Sequence, residues 1–308
     1  MHLTGSIVVI LLLAVLFGAG LWLWTPDESR SELEAKYLSA KSDYVDVEGV
    51  RLHLRDTGPK QAPAIILIHG FGSSLHTWEP WAQSLAKSYR VIRFDVPGFG
   101  LTGPDPTGDY SDQRITAVLT ALMDSLGLVR ATYIGNSMGG RIAWKFASTH
   151  PERVSKLVLI SPDGFASPGI EYGKRTEVPI LVKLMRYTLP KAFLAPNLAA
   201  AYADPAFMTK ALLDRYYDLM LAPGVRDAII ARMEQSVLTD PEPDLRRIEA
   251  KTLLLWGEKD ALIPVSNAAD YLRALRYSDL VTLPGVGHLP QEEAPEASLK
   301  PVLDFLAR

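Results

Sequence analysis

Residues Tyr133–Gly140 of this sequence read YIGNSMGG. A strand-like apolar run comes first, a serine follows between Gly135 and Gly139, and Arg141–Ala147 has the pattern of a helix. A tight turn from a strand into a helix raises a hydroxyl above the edge of a sheet, and glycines flank it because larger side chains do not fit. The pattern predicts that Ser137 is a nucleophile.

The composition argues against several classes of function. The chain has 308 residues, of which 48% are hydrophobic and 22% charged, and its net charge is −3. No basic block is present that could neutralise phosphates, so we expect no binding of nucleic acid. The sequence contains no cysteine, which excludes disulfides, a thiol nucleophile and cysteine-ligated zinc.

The N-terminal segment differs from the rest of the chain. Eighteen uncharged residues run from Ile7 to Trp24, enough for about 27 Å of helix against a hydrocarbon layer of about 30 Å. This run predicts a transmembrane anchor over residues 6–25, followed by a linker over residues 26–42. A cleaved signal peptide and a helix of the soluble part are the alternatives.

The remaining chain alternates strand-like and helix-like segments. Continuously apolar runs indicate strands buried on both faces of a parallel sheet, so we predict an α/β fold with a core over residues 43–163 and 250–308. The 90 residues between Ile160 and Lys251 show no convincing strand, and we predict a helical cap over residues 164–249. The predicted strands are Tyr44–Val47, Val50–Leu54, Ala64–Ile68, Val91–Asp95, Ala131–Ile134, Lys156–Ile160, Thr252–Trp256 and Leu280–Leu283.

A serine nucleophile requires a base and an acid that orients the base. In serine hydrolases with this kind of turn, the chain order is serine, acid, histidine. His288, in a loop after the last predicted strand, follows Ser137 with room for an acid between them. Asp260 follows a strand and is the predicted acid. Asp163, one strand earlier, is its rival, and two glutamates are weaker candidates, Glu258 and Glu292.

Two backbone N–H groups should stabilise the oxyanion that forms when the serine attacks a carbonyl. Phe71 and Met138 are the predicted donors, because Phe71 lies between Gly70 and Gly72 after a strand and Met138 begins the helix after Ser137. Two further polar residues, His69 and Asp95, lie at the ends of strands. We predict that His69 makes structural hydrogen bonds and that Asp95 fixes a loop.

Five motifs now form an ordered series: HGFG at 69–72, DVPGFG at 95–100, GNSMGG at 135–140, WGEKD at 256–260 and GHLPQEE at 287–293. In order and spacing they resemble the alpha/beta-hydrolase superfamily over residues 42–308, and GNSMGG resembles its capped serine esterase and lipase-like branch. The resemblance implies an eight-stranded, mostly parallel sheet, no metal and no organic cofactor. Meta-cleavage-product hydrolases share GNSMGG, but they typically have tryptophan where this chain has Leu289 and a glycine-richer loop at 71–74.

These observations predict a membrane-anchored serine hydrolase that cleaves carboxylic esters through an acyl-enzyme, with acyl lipids as a candidate substrate class. The basic residues after the apolar run favour a cytoplasmic domain by the positive-inside rule, but the resemblance and the anchor together lead us to predict the extracytoplasmic side. Two alternatives stay open: a carbon–carbon bond hydrolase of the meta-cleavage-product type, and a non-catalytic binder with a hydrolase fold.

Overall fold

The structure is a computed structural model that describes residues 18, 23–166, 171–175 and 177–308. Its centre is one eight-stranded sheet with the order β1-β2-β4-β3-β5-β6-β7-β8. Strand β2 runs antiparallel to β1 and β4, and all other neighbours are parallel. The predicted mostly parallel eight-stranded sheet is confirmed. The strands are β1 Tyr44–Val47, β2 Val50–Thr57, β3 Ala64–Ile68, β4 Arg90–Phe94, β5 Ala131–Asn136, β6 Val154–Ile160, β7 Lys251–Gly257 and β8 Ser278–Leu283.

Helices cover both faces of the sheet, which explains why its central strands are apolar at every position. In β3, Ile66 and Ile68 join the core on one face, whereas Ile65 and Leu67 join the core on the other. Successive side chains of a strand point to opposite faces, so a strand between two layers of helices needs apolar residues at both.

The helices follow the strands in the alternation that the sequence predicts. They are α1 Arg30–Tyr37, α2 Glu79–Leu85, α3 Asp112–Ser125, α4 Met138–Thr149, α5 Ile180–Lys183, α6 Lys191–Ala199, α7 Lys210–Met220, α8 Val225–Gln235, α9 Glu242–Leu245, α10 Ala268–Ala274, α11 Pro290–Glu293 and α12 Pro295–Leu306. Between β6 and β7, the described residues form helices α5 to α9 and no named strand. A separate cap domain over residues 164–249 stays a prediction.

The predicted anchor, residues 6–25, lies outside the described residues except for Gly18 and Leu23–Thr25. In the part of the chain that the structure describes, no helix is long and apolar enough to cross a membrane. This finding overturns the predicted single-pass localisation.

The described residues at the end of the apolar run contact the folded part of the chain. The Trp24 ring stacks on Tyr187, with 6.1 Å between the ring centroids. Just after the run, the backbone N–H of Thr25 donates to the Tyr187 carbonyl at 3.0 Å. Asp27 then pairs with Arg226 at 2.6 Å. These contacts join the end of the apolar run to the helical segment between β6 and β7.

Candidate active site

The candidate site lies at the carboxyl ends of two neighbouring parallel strands, β3 and β5, whose connections lead to opposite sides of the sheet. Strands β3 and β5 are parallel neighbours, with Ile68 opposite Gly135, while β4 lies beyond β3 and β6 lies beyond β5. The loops that follow β3 and β5 therefore diverge and leave a crevice at the carboxyl ends of the strands. Ser137 and the loop 69–72 both lie at this crevice.

Ser137 occupies a strained turn between β5 and α4. Its φ of 55° and ψ of −121° are values that residues with a side chain rarely adopt. A Cβ atom on Gly135 would lie 2.2 Å from the carbonyl oxygen of Gly139, and one on Gly139 would lie 2.1 Å from that of Ile68. Both flanking glycines are therefore required because backbone atoms occupy the space of a side chain.

His288 and Asp260 meet behind this turn. His288 Nδ1 lies 2.7 Å from Asp260 Oδ2, and both side chains are buried. The other oxygen of Asp260 accepts hydrogen bonds from the backbone N–H groups of Leu262 and Ile263, each at 2.9 Å. Burial by itself would raise the pKa of Asp260, but the hydrogen bond and charge of His288, with the backbone donors, outweigh it and hold this pKa below its usual value.

The rival acids lie elsewhere. The Asp163 carboxylate is 3.8 Å from the guanidinium of Arg141, and its backbone N–H donates to the Ser137 carbonyl at 3.1 Å. Glu258 accepts a hydrogen bond from the Thr282 hydroxyl at 2.9 Å. Glu292 accepts from two tyrosines and an arginine. Of the four candidate acids, Asp260 is the one that is hydrogen-bonded to the imidazole.

The two predicted oxyanion donors are both available. Met138 is the first residue of α4, so its N–H has no acceptor within the helix. Within the described part of the chain, neither this N–H nor that of Phe71 donates a hydrogen bond. Gly70 lets the loop after β3 lie close to the serine turn after β5, since a Cβ atom at Gly70 would lie 3.2 Å from Ser137 Cβ. Gly72 has a φ of 68°, in the left-handed region that favours glycine.

Ser137 and His288 line one cavity of about 290 Å³, near the lower end of the volumes of small-molecule sites. A larger groove of about 1160 Å³ opens from Ser137 on another side and carries basic side chains, including Arg141 and Arg232. Among the described residues, no group of three or more His, Asp or Glu side chains is placed to hold a metal ion. The apolar residues of the small cavity include Leu194, Leu198, Met208, Met220, Leu262 and Leu289.

The sequence matches the family described as alpha/beta hydrolase fold over residues 63–295. This chain belongs to the alpha/beta-hydrolase family. The order of the strands and the strained serine turn agree with that membership.

Several relatives of this alpha/beta hydrolase are named enzymes. It is 33% identical over 285 residues to a 2-hydroxy-6-oxononadienedioate/2-hydroxy-6-oxononatrienedioate hydrolase of Burkholderia vietnamiensis, covering 88% of this chain and 97% of the relative. It is 30% identical over 265 residues to a 2-hydroxy-6-oxo-6-phenylhexa-2,4-dienoate hydrolase of Burkholderia cepacia, covering 83% and 91%. A crystal structure titled as a membrane phospholipase A, a bacterial virulence factor, is similar with a TM-score of 0.75 and 27% identity, covering 99% and 98%.

The structure also shows supporting residues that the sequence analysis missed. Asn136, inside the serine turn, donates from Nδ2 to the carbonyl of His288 at 3.0 Å. Glu293 accepts hydrogen bonds from the backbone N–H groups of Gly287, at 2.6 Å, and Ala203, at 2.9 Å. The only signals in the sequence were that Asn136 precedes the serine and that Glu293 follows the histidine closely. The partners His288 of Asn136 and Ala203 of Glu293 are distant in the chain, whereas Gly287 is close to Glu293.

His69 and Asp95 of this alpha/beta hydrolase have the structural roles that we predict. His69 Nε2 accepts from the Val96 N–H at 2.9 Å, and its Nδ1 lies 2.7 Å from the Gly70 carbonyl. The buried carboxylate of Asp95 accepts from the backbone N–H groups of Leu75 at 2.7 Å and Leu101 at 2.8 Å. These bonds hold the loop after β3, on one side of the crevice, against the loop after β4.

Proposed function

We propose that this alpha/beta hydrolase cleaves carboxylic esters through an acyl-enzyme, with Ser137 as nucleophile, His288 as base and Asp260 as acid. One observation carries the proposal. The strained serine shares a cavity with a histidine whose Nδ1 is hydrogen-bonded to a buried carboxylate. This arrangement supports nucleophilic catalysis because the carboxylate orients the imidazole and stabilises its charged form.

The steps follow from these roles. His288 takes the proton of Ser137 through Nε2 as the hydroxyl oxygen attacks the ester carbonyl carbon. The Phe71 and Met138 N–H groups stabilise the negative oxygen of the tetrahedral intermediate. The carbon–oxygen bond to the alcohol then breaks, and the alcohol leaves with the proton from His288. Water, deprotonated by His288, attacks the acyl-enzyme in the same way and releases the carboxylic acid and the serine.

Acyl esters are the proposed substrate class. Among the described residues that line the small cavity, none is a lysine or an arginine, and its apolar residues offer contact for an acyl chain. The similarity to the structure titled as a membrane phospholipase A is consistent with an ester substrate. We therefore propose that the acyl group occupies the small cavity and that the alcohol group lies towards the groove.

The test is a panel of p-nitrophenyl esters of graded acyl length, run beside a monoacylglycerol and a fluorophosphonate probe. We expect hydrolysis of the esters and covalent labelling of the wild-type protein, and neither with Ser137→Ala. Labelling without hydrolysis of any ester would contradict the ester specificity. Absence of labelling in a folded protein would favour the non-catalytic binder.

Carbon–carbon bond hydrolysis is the second candidate. What favours it is that the two curated relatives described above carry the names of hydrolases of 2-hydroxy-6-oxo-dienoates and -dienedioates. Incubation with 2-hydroxy-6-oxo-6-phenylhexa-2,4-dienoate, followed by the loss of its dienol absorbance, distinguishes the two. A specificity constant for the dienoate well above those for all the esters would replace our proposal with this one.

A further inference from the structure

A buried carboxylate lies behind the wall of the small cavity. Glu292 Oε2 accepts a hydrogen bond from the Tyr202 hydroxyl at 2.6 Å, and Oε1 accepts from the Tyr216 hydroxyl at 3.1 Å. Arg215 donates to Oε1 at 2.9 Å and balances the charge. The two tyrosines are among the residues that line the cavity, whereas Glu292 is not. Glu292 therefore lies outside the lining of the cavity and binds two residues that belong to it.

Both tyrosines remain hydrogen-bond donors over the working pH range. Burial first, and the neighbouring charge of Glu292 next, raise the pKa of Tyr216 well above its usual value. Burial, Tyr216 and Glu292 raise the pKa of Tyr202 further. A neutral tyrosine has one hydroxyl hydrogen, and Glu292 accepts it in both residues. Neither tyrosine then has a hydrogen left to donate into the cavity.

The same network reaches the loops that hold the proposed catalytic groups. Glu292 lies in α11, four residues after His288. The carbonyl of Ala201, next to Tyr202, accepts from the His288 N–H at 2.7 Å. The Tyr216 hydroxyl lies 3.4 Å from Ser73 Oγ, in the loop after Phe71. One carboxylate thus connects the cavity wall to both sides of the site.

We propose that Glu292 is a positioning residue that determines acyl specificity: by binding both tyrosine hydroxyls, it makes this wall apolar and favours unsubstituted acyl chains over chains with a polar group. This inference rests on the proposed ester hydrolysis. A glutamine at this position has one oxygen and an N–H₂ donor in place of two acceptor oxygens. In Glu292→Gln, at least one tyrosine hydroxyl loses its acceptor and becomes free to donate to a substrate.

The experiment compares kcat/KM for two p-nitrophenyl esters of equal chain length: the hexanoate and the hexanoate with a terminal hydroxyl group. Wild-type protein should prefer the unsubstituted ester. The quantity compared is kcat/KM for the hexanoate divided by kcat/KM for the hydroxylated ester. Glu292→Gln should lower this ratio by about tenfold, the effect of one hydrogen bond. Glu296→Gln, an exposed glutamate of α12, is the matched control and should leave the ratio unchanged.

A rescue variant separates this role from a general loss of packing. Adding Tyr202→Phe and Tyr216→Phe to Glu292→Gln removes the released hydroxyls and should restore the wild-type ratio, which a merely structural role would not do. If Glu292→Gln does not fold, Glu292→Asp serves instead, because its shorter side chain cannot reach both tyrosines. An unchanged ratio in a folded Glu292 variant overturns this inference alone. Wild-type protein that hydrolyses no ester overturns both proposals.

Discussion

The Asp260 carboxylate is held by three donors: His288 Nδ1 at 2.7 Å and the backbone N–H groups of Leu262 and Ile263 at 2.9 Å each. The two backbone bonds fix the direction of the carboxylate, so Oδ2 points at the imidazole. With Nδ1 hydrogen-bonded in this way, Nε2 of the imidazole is left for the proton exchange with Ser137 that we propose.

Replacing Asp260 by asparagine should cripple ester hydrolysis. The side-chain oxygen of asparagine can still accept from Leu262 and Ile263, so we expect little loss of stability. Its amide N–H₂, however, would face Nδ1 and favour the wrong tautomer of His288, a change that can cost about 10⁴ in kcat. Steady-state kinetics and a thermal melt of the same preparation measure the two effects.

Asp163→Asn is the matched control for this change. Its carboxylate lies 3.8 Å from Arg141 and makes no contact with the imidazole, so kcat should stay within about tenfold of the wild-type value. A large loss with Asp163→Asn and a small loss with Asp260→Asn would move the acid to the end of β6. If both single changes are mild, a double variant with a loss far above their product would show that one carboxylate substitutes for the other.

Ser137→Ala should abolish ester hydrolysis apart from a small residual activity from the oxyanion donors and binding. Alanine has a Cβ atom as serine does, so the backbone strain at a φ of 55° is unchanged. We therefore expect the fold to be retained. The control is Ser266→Ala, which changes an exposed serine of a surface turn and should leave turnover unchanged. Near-normal turnover in folded Ser137→Ala would exclude this serine as the nucleophile.

Gly139→Ala should destabilise the protein strongly. The added Cβ atom would lie 2.1 Å from the carbonyl oxygen of Ile68, and a backbone atom of a central strand cannot move aside as a flexible side chain can. The comparison is Gly127→Ala, where the new atom meets nothing within 4 Å and the cost comes from a φ of 66°, about 1 kcal/mol. Urea unfolding should give a much larger loss for Gly139→Ala, and equal losses would contradict the packing argument.

Asp95 should make stability depend on pH in acid. Burial would raise the pKa of this carboxyl, but the charge and hydrogen bond of His53, 2.7 Å away, hold it well below its usual value. A lowered pKa in the folded state stabilises the protein above the unfolded pKa of about 3.9, and this contribution is lost as the pH falls below that value. Wild-type stability should therefore decline more steeply than that of Asp95→Asn between about pH 5 and pH 2. Urea midpoints across this range provide the measurement, and parallel curves would exclude the effect.

Much of the framework could be predicted from local patterns. The bounds of β1 and β3 match the predicted Tyr44–Val47 and Ala64–Ile68. Strand β4 is shifted by one residue, to Arg90–Phe94 from the predicted Val91–Asp95. The remaining strands extend one to three residues further, for example β2 to Thr57, because ladder hydrogen bonds continue past the apolar residues that mark a strand in the sequence. The predicted single-pass localisation is wrong, because no helix in the described part of the chain is long and apolar enough to cross a membrane.

Apolar runs, glycine turns and the order of motifs are local properties, so they were enough to predict which segments form strands and which residues stand at their ends. The serine turn was visible for that reason. Only the tertiary structure decided which carboxylate faces His288, since Asp260 and Asp163 both follow strands and differ in what the fold places beside them. It also decided that Glu292 binds Tyr202 and Tyr216, residues 90 and 76 positions away in the chain. Such contacts depend on how separate elements pack, and no short pattern in the sequence records that.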